Sequence, residues 1–235
     1  MVRVNGLWVY QSARMPDPDA VAARAHRHGL TWLTVQAIEG PEVLDVDWLR
    51  AMRGATKERS MRLGVHGYVG RPRPRPAAEA RAMSNAIGVA KADFAIVNAE
   101  IEYERSTTAA PKKFVDAYRG LRPRFTTYLS SFGRPTFHPG LDWAIWARAR
   151  FRGMPQAYEN LNRGALKPTQ CVVDWARFFE RRMLRPTVGC FSEGGHSHLP
   201  VPRLVQSIRE VPALPFNIFR HGTVTPSELR ALAEI

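Results

Sequence analysis

Short apolar runs alternate with amphipathic stretches along the chain, in units of roughly 25 to 30 residues. The apolar runs read as strands: Leu7 to Gln11, Trp32 to Ile38, Arg62 to Val69, a run from Phe94, Arg124 to Ser131, Met154 to Tyr158, Pro186 to Phe191, and Leu214 to Phe219. Between them the 3.6-residue period predicts helices over Asp19 to His28, Val46 to Lys57, Ala77 to Ala92, Pro111 to Gly120, Gly140 to Arg150, Pro168 to Arg182 and Val201 to Glu210. Thr225, ahead of Pro226 at the first helical position, caps a last helix to Ala233. Strands that alternate with helices imply parallel βαβ units. Eight such units in 235 residues point to one α/β domain over 1–235, a single (β/α)8 TIM barrel. The competing fold is an open doubly wound sheet. Its glycine-rich phosphate loop is missing after strand one, where GLWVYQSARMPD stands.

The stretch from Phe94 to Glu104, FAIVNAEIEYE, departs from ordinary alternation. Read as one strand, it puts Ala95, Val97, Ala99, Ile101 and Tyr103 on an apolar face. The other face starts with Phe94 and Ile96 and turns acidic at Glu100, Glu102 and Glu104. A barrel strand has that character, with packed interior below and chemistry at its C-terminal mouth.

The C-terminal ends of barrel strands carry the chemistry, so the architecture selects candidates. These are Tyr10 and Gln11, Gln36 and Glu39, His66 and Tyr68, Asn98 with the three glutamates, Tyr128 and Ser130, Gln156, Tyr158, Glu159 and Asn160, Ser192 and Glu193, and Asn217, Arg220 and His221. Aromatic rings, amides and carboxylates suit a sugar, whose ring stacks on flat faces and whose hydroxyls bond polar groups. Tyr10, Gln36, His66, Tyr68, Asn98, Tyr128, Gln156 and Tyr158 are the expected substrate contacts. Glycoside hydrolysis needs a carboxylic acid and usually a second carboxylate. Like charges side by side keep one member of such a set protonated. Glu100 and Glu102 fit that pair, with Glu193 facing them from strand seven. The same glutamates also suit salt bridges to arginine, and Glu39, Glu104 and Glu159 read as rim residues.

Composition narrows the classes. Five of the 34 basic residues are lysines, and the net charge is +13. Such a surface attracts polyanions, anionic wall polymers among them. Nucleic acid is disfavoured: RPRPRP, from Arg71 to Pro76, is a stiff basic loop, but the interleaved aromatics of an RNA-binding sheet are missing. Cys171 and Cys190 read as buried thiols. His196 and His198 form an HxH, with His66, His138 and His221 as conceivable partners, but the motif lies in a glycine-rich loop. No metal and no cofactor is expected. Ser192 lacks a GxSxG elbow. No apolar run is long enough to span a membrane, and the N-terminus lacks a signal-peptide core. The expected location is cytoplasmic on synthesis, then release by lysis or as part of a virion.

VNAEIEYE at strand four resembles the acidic strand of glycosidase-like barrels of bacteria and their phages, distantly similar to muramidase-type and chitinase-type barrels. MPQAYEN at strand six, WLTVQAIEG at strand two and FNIFRHGTVTPSELRALA at strand eight fit the same layout. The resemblance implies a glycosidase acting on a cell-wall or surface polysaccharide such as peptidoglycan. It implies Glu100 as general acid, Glu102 second, and Gln156 and Tyr158 as substrate contacts. Asn98 stands where the family has its first acidic residue. The alternative implied function is a non-catalytic carbohydrate-binding or structural part of a phage tail, with other tail proteins as partners.

Overall fold

A computed structural model describes residues 3–10, 15–106, 109–122, 124–161, 166–192, 196–211 and 213–235. Nine strands occur among them: β1 Arg3–Val9, β2 Trp32–Glu39, β3 Glu42–Val43, β4 Arg62–Val69, β5 Phe94–Ala99, β6 Thr127–Ser131, β7 Arg152–Ala157, β8 Thr187–Gly189 and β9 Pro215–Phe219. The helices are α1 Pro18–Arg27, α2 Val46–Glu58, α3 Pro76–Ala90, α4 Ile101–Glu104, α5 Ala109–Leu121, α6 Trp143–Arg148, α7 Pro168–Trp175, α8 Val201–Arg209 and α9 Pro226–Ala233. Neighbouring strands run β1-β9-β8-β7-β6-β5-β4-β2, and β1 pairs with β2 to close the ring. Eight of the strands are parallel and form a closed (β/α)8 barrel. The short β3 folds back antiparallel on the end of β2.

The strand pattern dictates this architecture. Outward residues such as Leu63, Val65, Val97 and Leu129 are fully buried against the helical ring. Helices α1, α2 and α9 begin where side chains satisfy free backbone donors. Asp17 accepts from the Ala20 amide at 2.8 Å and Asp45 from the Trp48 amide at 2.9 Å. Thr225 and Glu228 form the capping box of α9, in which each side chain serves the other's backbone.

Inward residues lie in tiers. At the N-terminal end, Trp32, Phe94 and Tyr128 pack edge to face. Gly6 and Gly64 make that tier possible, since a Cβ would come within 2.1 Å of Trp32 at the first and 2.2 Å of Phe94 at the second. Trp8, Ile96 and Met154 fill the middle. Gln36, His66, Asn98 and Gln156 make the C-terminal tier polar.

Several elements differ from the sequence-based expectation. β1 spans Arg3–Val9 rather than Leu7 to Gln11, so Tyr10 follows the strand, and Gln11 lies outside the described residues. α7 stops at Trp175, and Arg181–Met183 is a separate 3-10 turn. The largest change is at β5, which ends at Ala99. The Ser131 hydroxyl takes the Ala99 carbonyl, and the chain turns through Glu100 into α4. Glu100, Glu102 and Glu104 therefore do not share a strand face. Local alternation cannot show this, because one turn of helix and a strand end carry the same residues here.

Candidate active site

The turn after β5 sends the three glutamates in three directions. Glu100, on the lip of the strand, points back into the mouth of the barrel. Its Oε2 accepts from the Tyr68 hydroxyl at 3.1 Å. Its Oε1 accepts from the Asn98 side-chain amide at 2.9 Å and from Gln156 Nε2 at 2.8 Å. Gln156 Nε2 also reaches Asn98 Oδ1 at 2.9 Å. Strands β4, β5 and β7 thus supply one network centred on a single carboxylate.

Glu102, one helical step on, lies outside that pocket in an adjoining groove lined by Glu39, Glu42, Arg71 and Arg75. It stays linked to Glu100 because the same Tyr68 hydroxyl lies 3.2 Å from its Oε2. The Arg71 guanidinium is 3.6 Å from Glu102 and 3.6 Å from Glu39, and it covers the Tyr68 ring at 3.9 Å. The basic loop is therefore folded over the acidic side of the mouth. Glu104 turns away altogether and pairs with His138 at 2.9 Å.

The pocket at the mouth holds about 440 Å³. Of the eight expected substrate contacts, Tyr10, Gln36, His66, Tyr68, Asn98, Gln156 and Tyr158 line it, together with Glu100. Tyr128 does not. It is the second residue of β6 and lies at the opposite end of the barrel, beside Arg152. A strand counted from Arg124 places Tyr128 too near its C-terminal end, whereas β6 begins at Thr127. Asn217 also lies away from the mouth: it is the middle residue of β9 and lines the cavity at the N-terminal end. Glu193 lies outside the described residues. Glu39 is on the rim, but Glu159 is buried and bound by Arg203 at 2.6 Å and by the Ser207 hydroxyl. The acid reads as rim-like in sequence because its partners arrive from α8, more than forty residues on.

Other lining residues carry little signal in the sequence. Trp8, Phe191 and Phe219 form the apolar wall, with Tyr158 stacked on Phe219 at 5.4 Å. Arg220 lies over the Tyr10 ring at 5.3 Å. The inward half of the period-2 pattern marks Trp8, but nothing in the sequence distinguishes a pocket wall from core packing.

Burial sets the protonation of the phenols and imidazole. Desolvation, then the Glu100 charge, holds the Tyr158 hydroxyl far above the ordinary phenol range. Desolvation, with Glu100 and Glu102 adding to it, does the same for Tyr68. Both remain hydrogen-bond donors at neutral pH. Desolvation pushes the fully enclosed His66 down to about 3. Its Nδ1 lies 3.3 Å from the Thr34 hydroxyl, while its Nε2 and the Trp8 Nε1 have no partner although both are buried. Two orphan nitrogens in the wall of one pocket are the groups a polar ligand would satisfy.

His66 and His196 both line the mouth pocket, and the other histidines of the sequence reading lie apart from it. His198 bonds Glu228, His138 bonds Glu104, and His66 is in the barrel interior. Among the described residues no cluster of three or more His, Cys, Asp or Glu could hold a metal ion. Cys171 and Cys190 are free, buried thiols.

No protein-family model and no curated protein matches the chain. Solved structures do. The spore cortex-lytic enzyme SleL of Bacillus cereus superposes with a TM-score of 0.69 at 9% identity, over 99% of this chain and 74% of that one. The chitinase ChiC of Aspergillus fumigatus gives 0.67 at 12% identity, over 95% and 93%. An endo-beta-N-acetylglucosaminidase of Cordyceps militaris gives 0.66 at 8% identity, over 100% and 90%. The fold is the (β/α)8 barrel that these three proteins share. At these identities the likeness is one of architecture, and a fold of this kind carries many chemistries.

Proposed function

We propose that the protein is a glycoside hydrolase acting on a cell-wall or surface polysaccharide, peptidoglycan included, with Glu100 as the proton donor. One observation carries this reading: Glu100 is the carboxylate among the described residues that lines an aromatic-walled pocket at the barrel mouth. Cleavage of a glycosidic bond requires a proton on the leaving oxygen as the C–O bond breaks. A carboxyl at the pocket lip can deliver it to an oxygen held within hydrogen-bond reach. Two of its three partners are side-chain amides, which can turn an oxygen instead of a nitrogen towards a protonated Glu100. Tyr158 and Tyr68, held as donors, suit sugar hydroxyls. Trp8, Tyr158 and Phe219 offer flat faces for a pyranose ring. Glu102, tied to Glu100 through Tyr68, is the second carboxylate, and Glu193, outside the described residues, is kept as a further candidate. The three neighbours, a spore cortex-lytic enzyme, a chitinase and an endo-beta-N-acetylglucosaminidase, support a carbohydrate substrate. The cationic surface supports an anionic polymer.

A second reading has one specific observation in its favour. Asn98 puts an amide where the resembling barrels carry their first acid, so the protein would bind a polysaccharide without cutting it, as a phage-tail component would. The two are separated by incubating purified cell walls and chitin-type oligomers with wild type and Glu100→Gln. Release of reducing ends by wild type, abolished in the variant, supports hydrolysis. No release, with the folded protein sedimenting on the walls, supports the binding barrel.

A further inference from the structure

The barrel end opposite Glu100 carries a cavity of about 240 Å³ that the proposed hydrolysis does not use. Arg62 at the start of β4, Arg152 at the start of β7 and Arg185 just before β8 line it together. Among the described residues no acidic one lines it. Among the described residues, none of these three arginines takes part in an ion pair. Elsewhere in this chain Arg134 meets Asp174 and Arg203 meets Glu159, while Arg119 and Arg122 are met by backbone carbonyls and a serine. Arg62 is exposed and Arg185 donates to the Arg182 and Leu184 carbonyls, but no carboxylate neutralises the three like charges around the cavity, and burial disfavours the charge on Arg185. That arrangement is stable in the company of an anion.

The walls give the anion a shape. Arg62 lies over the Phe94 ring at 5.2 Å and Arg152 over Tyr128 at 5.9 Å, so aromatic faces support the planar groups. Guanidinium forks match the oxygens of a phosphate in pairs. A second, independent feature also points to a ligand. Asn217 is fully buried at the cavity wall, and its Nδ2 is engaged by the Arg185 carbonyl at 3.0 Å, while its Oδ1 has no partner. An orphan acceptor asks for a donor, and a ligand bearing both a phosphate and a hydroxyl supplies one. We propose that this cavity binds a small phosphate-bearing molecule, with Arg62, Arg152 and Arg185 on the phosphate and Asn217 Oδ1 on an O–H of the ligand.

The test is calorimetric titration and thermal melting of the full chain with inorganic phosphate and with glycerol phosphate, against sodium chloride at matched ionic strength. Saturable binding of both phosphates is expected, tighter for glycerol phosphate. Arg152→Gln and Arg185→Gln should each weaken it by about 10-fold or more. Without phosphate, Arg152→Gln should melt no lower than wild type, because it removes repulsion and breaks no ion pair; an arginine with a merely structural role would lower the melting temperature. Glu100→Gln, at the other mouth, should bind phosphate as wild type does, so this result stands or falls apart from the hydrolase reading. A phosphate response no larger than that of chloride, or unchanged binding in both arginine variants, overturns the proposal.

Discussion

Gln156 Nε2 donates to Glu100 Oε1 at 2.8 Å, across 56 residues of sequence. The bond joins the end of β7 to the turn after β5, and Asn98 from β5 lies between them. A carboxylate with three donors on two oxygens is held in one orientation before any substrate arrives, and such preorganisation is the main lever of active-site chemistry.

Replacing Glu100 by Gln tests the proton donor. The amide fits the same network: its oxygen can keep the Asn98 and Gln156 donors, and its nitrogen can donate to the Tyr68 hydroxyl, which still donates to Glu102. Folding should therefore survive, with a melting temperature near wild type. Reducing-end release should fall by about 100-fold or more. Unchanged hydrolysis would move the acid to another residue.

Tyr68 holds both carboxylates with one hydroxyl. Tyr68→Phe keeps the ring under Arg71 and removes that donor. We expect a loss of about 1–2 kcal/mol in urea unfolding, and an activity loss smaller than that of Glu100→Gln. A variant as stable as wild type would mean that the hydroxyl bonds contribute nothing net.

Glu79 ties two loops of the site together. It is fully buried, accepting from the Gly70 amide at 2.8 Å and from the Tyr103 hydroxyl at 2.6 Å. The first partner starts the Arg71 loop, and the second is in α4 between Glu102 and Glu104. Tyr103→Phe leaves a buried carboxylate short of a donor, at a cost of about 1–3 kcal/mol. Chemical denaturation reads the cost directly. Polysaccharide binding should weaken with it, because both loops flank the mouth.

His66 makes stability depend on pH. Burial lowers its pKa from 6.5 to about 3 in the folded protein. Between those values the unfolded chain binds a proton that the folded chain refuses, so the stability present above pH 6.5 is lost as the pH falls towards 3. His221, lowered to about 4 by burial and then by Arg24, acts in the same direction. Unfolding free energies measured at pH 7, 5 and 4 should fall more steeply for wild type than for His66→Gln. Parallel slopes would remove His66 from the account.

Much of the architecture was legible from local pattern. β4 is bounded as its apolar run predicts, α2 and α3 begin and end within two residues of theirs, and Thr225 caps α9 through its own side chain. These features rest on interactions between near neighbours, which the order of residues encodes directly. Strand ends were less legible. Tyr128 lies at the opposite end from the expected one because the run from Arg124 begins in the loop ahead of β6, and only pairing partners show where the ladder starts.

What the sequence by itself determined is the alternation of strand and helix, the closed parallel barrel it implies, and the polar character of the strands' C-terminal ends. Period and capping are local physics, and eight repeats leave little freedom in topology. Tertiary structure alone decided which glutamate faces the pocket. The Ser131 hydroxyl ends β5 at Ala99, and the single turn of α4 sends Glu102 to Arg71 and Glu104 to His138. It also decided that Arg62, Arg152 and Arg185 meet without a carboxylate, 90 and 33 residues apart in sequence. Such groupings depend on which strand ends closure of the barrel brings together, and no local pattern records that.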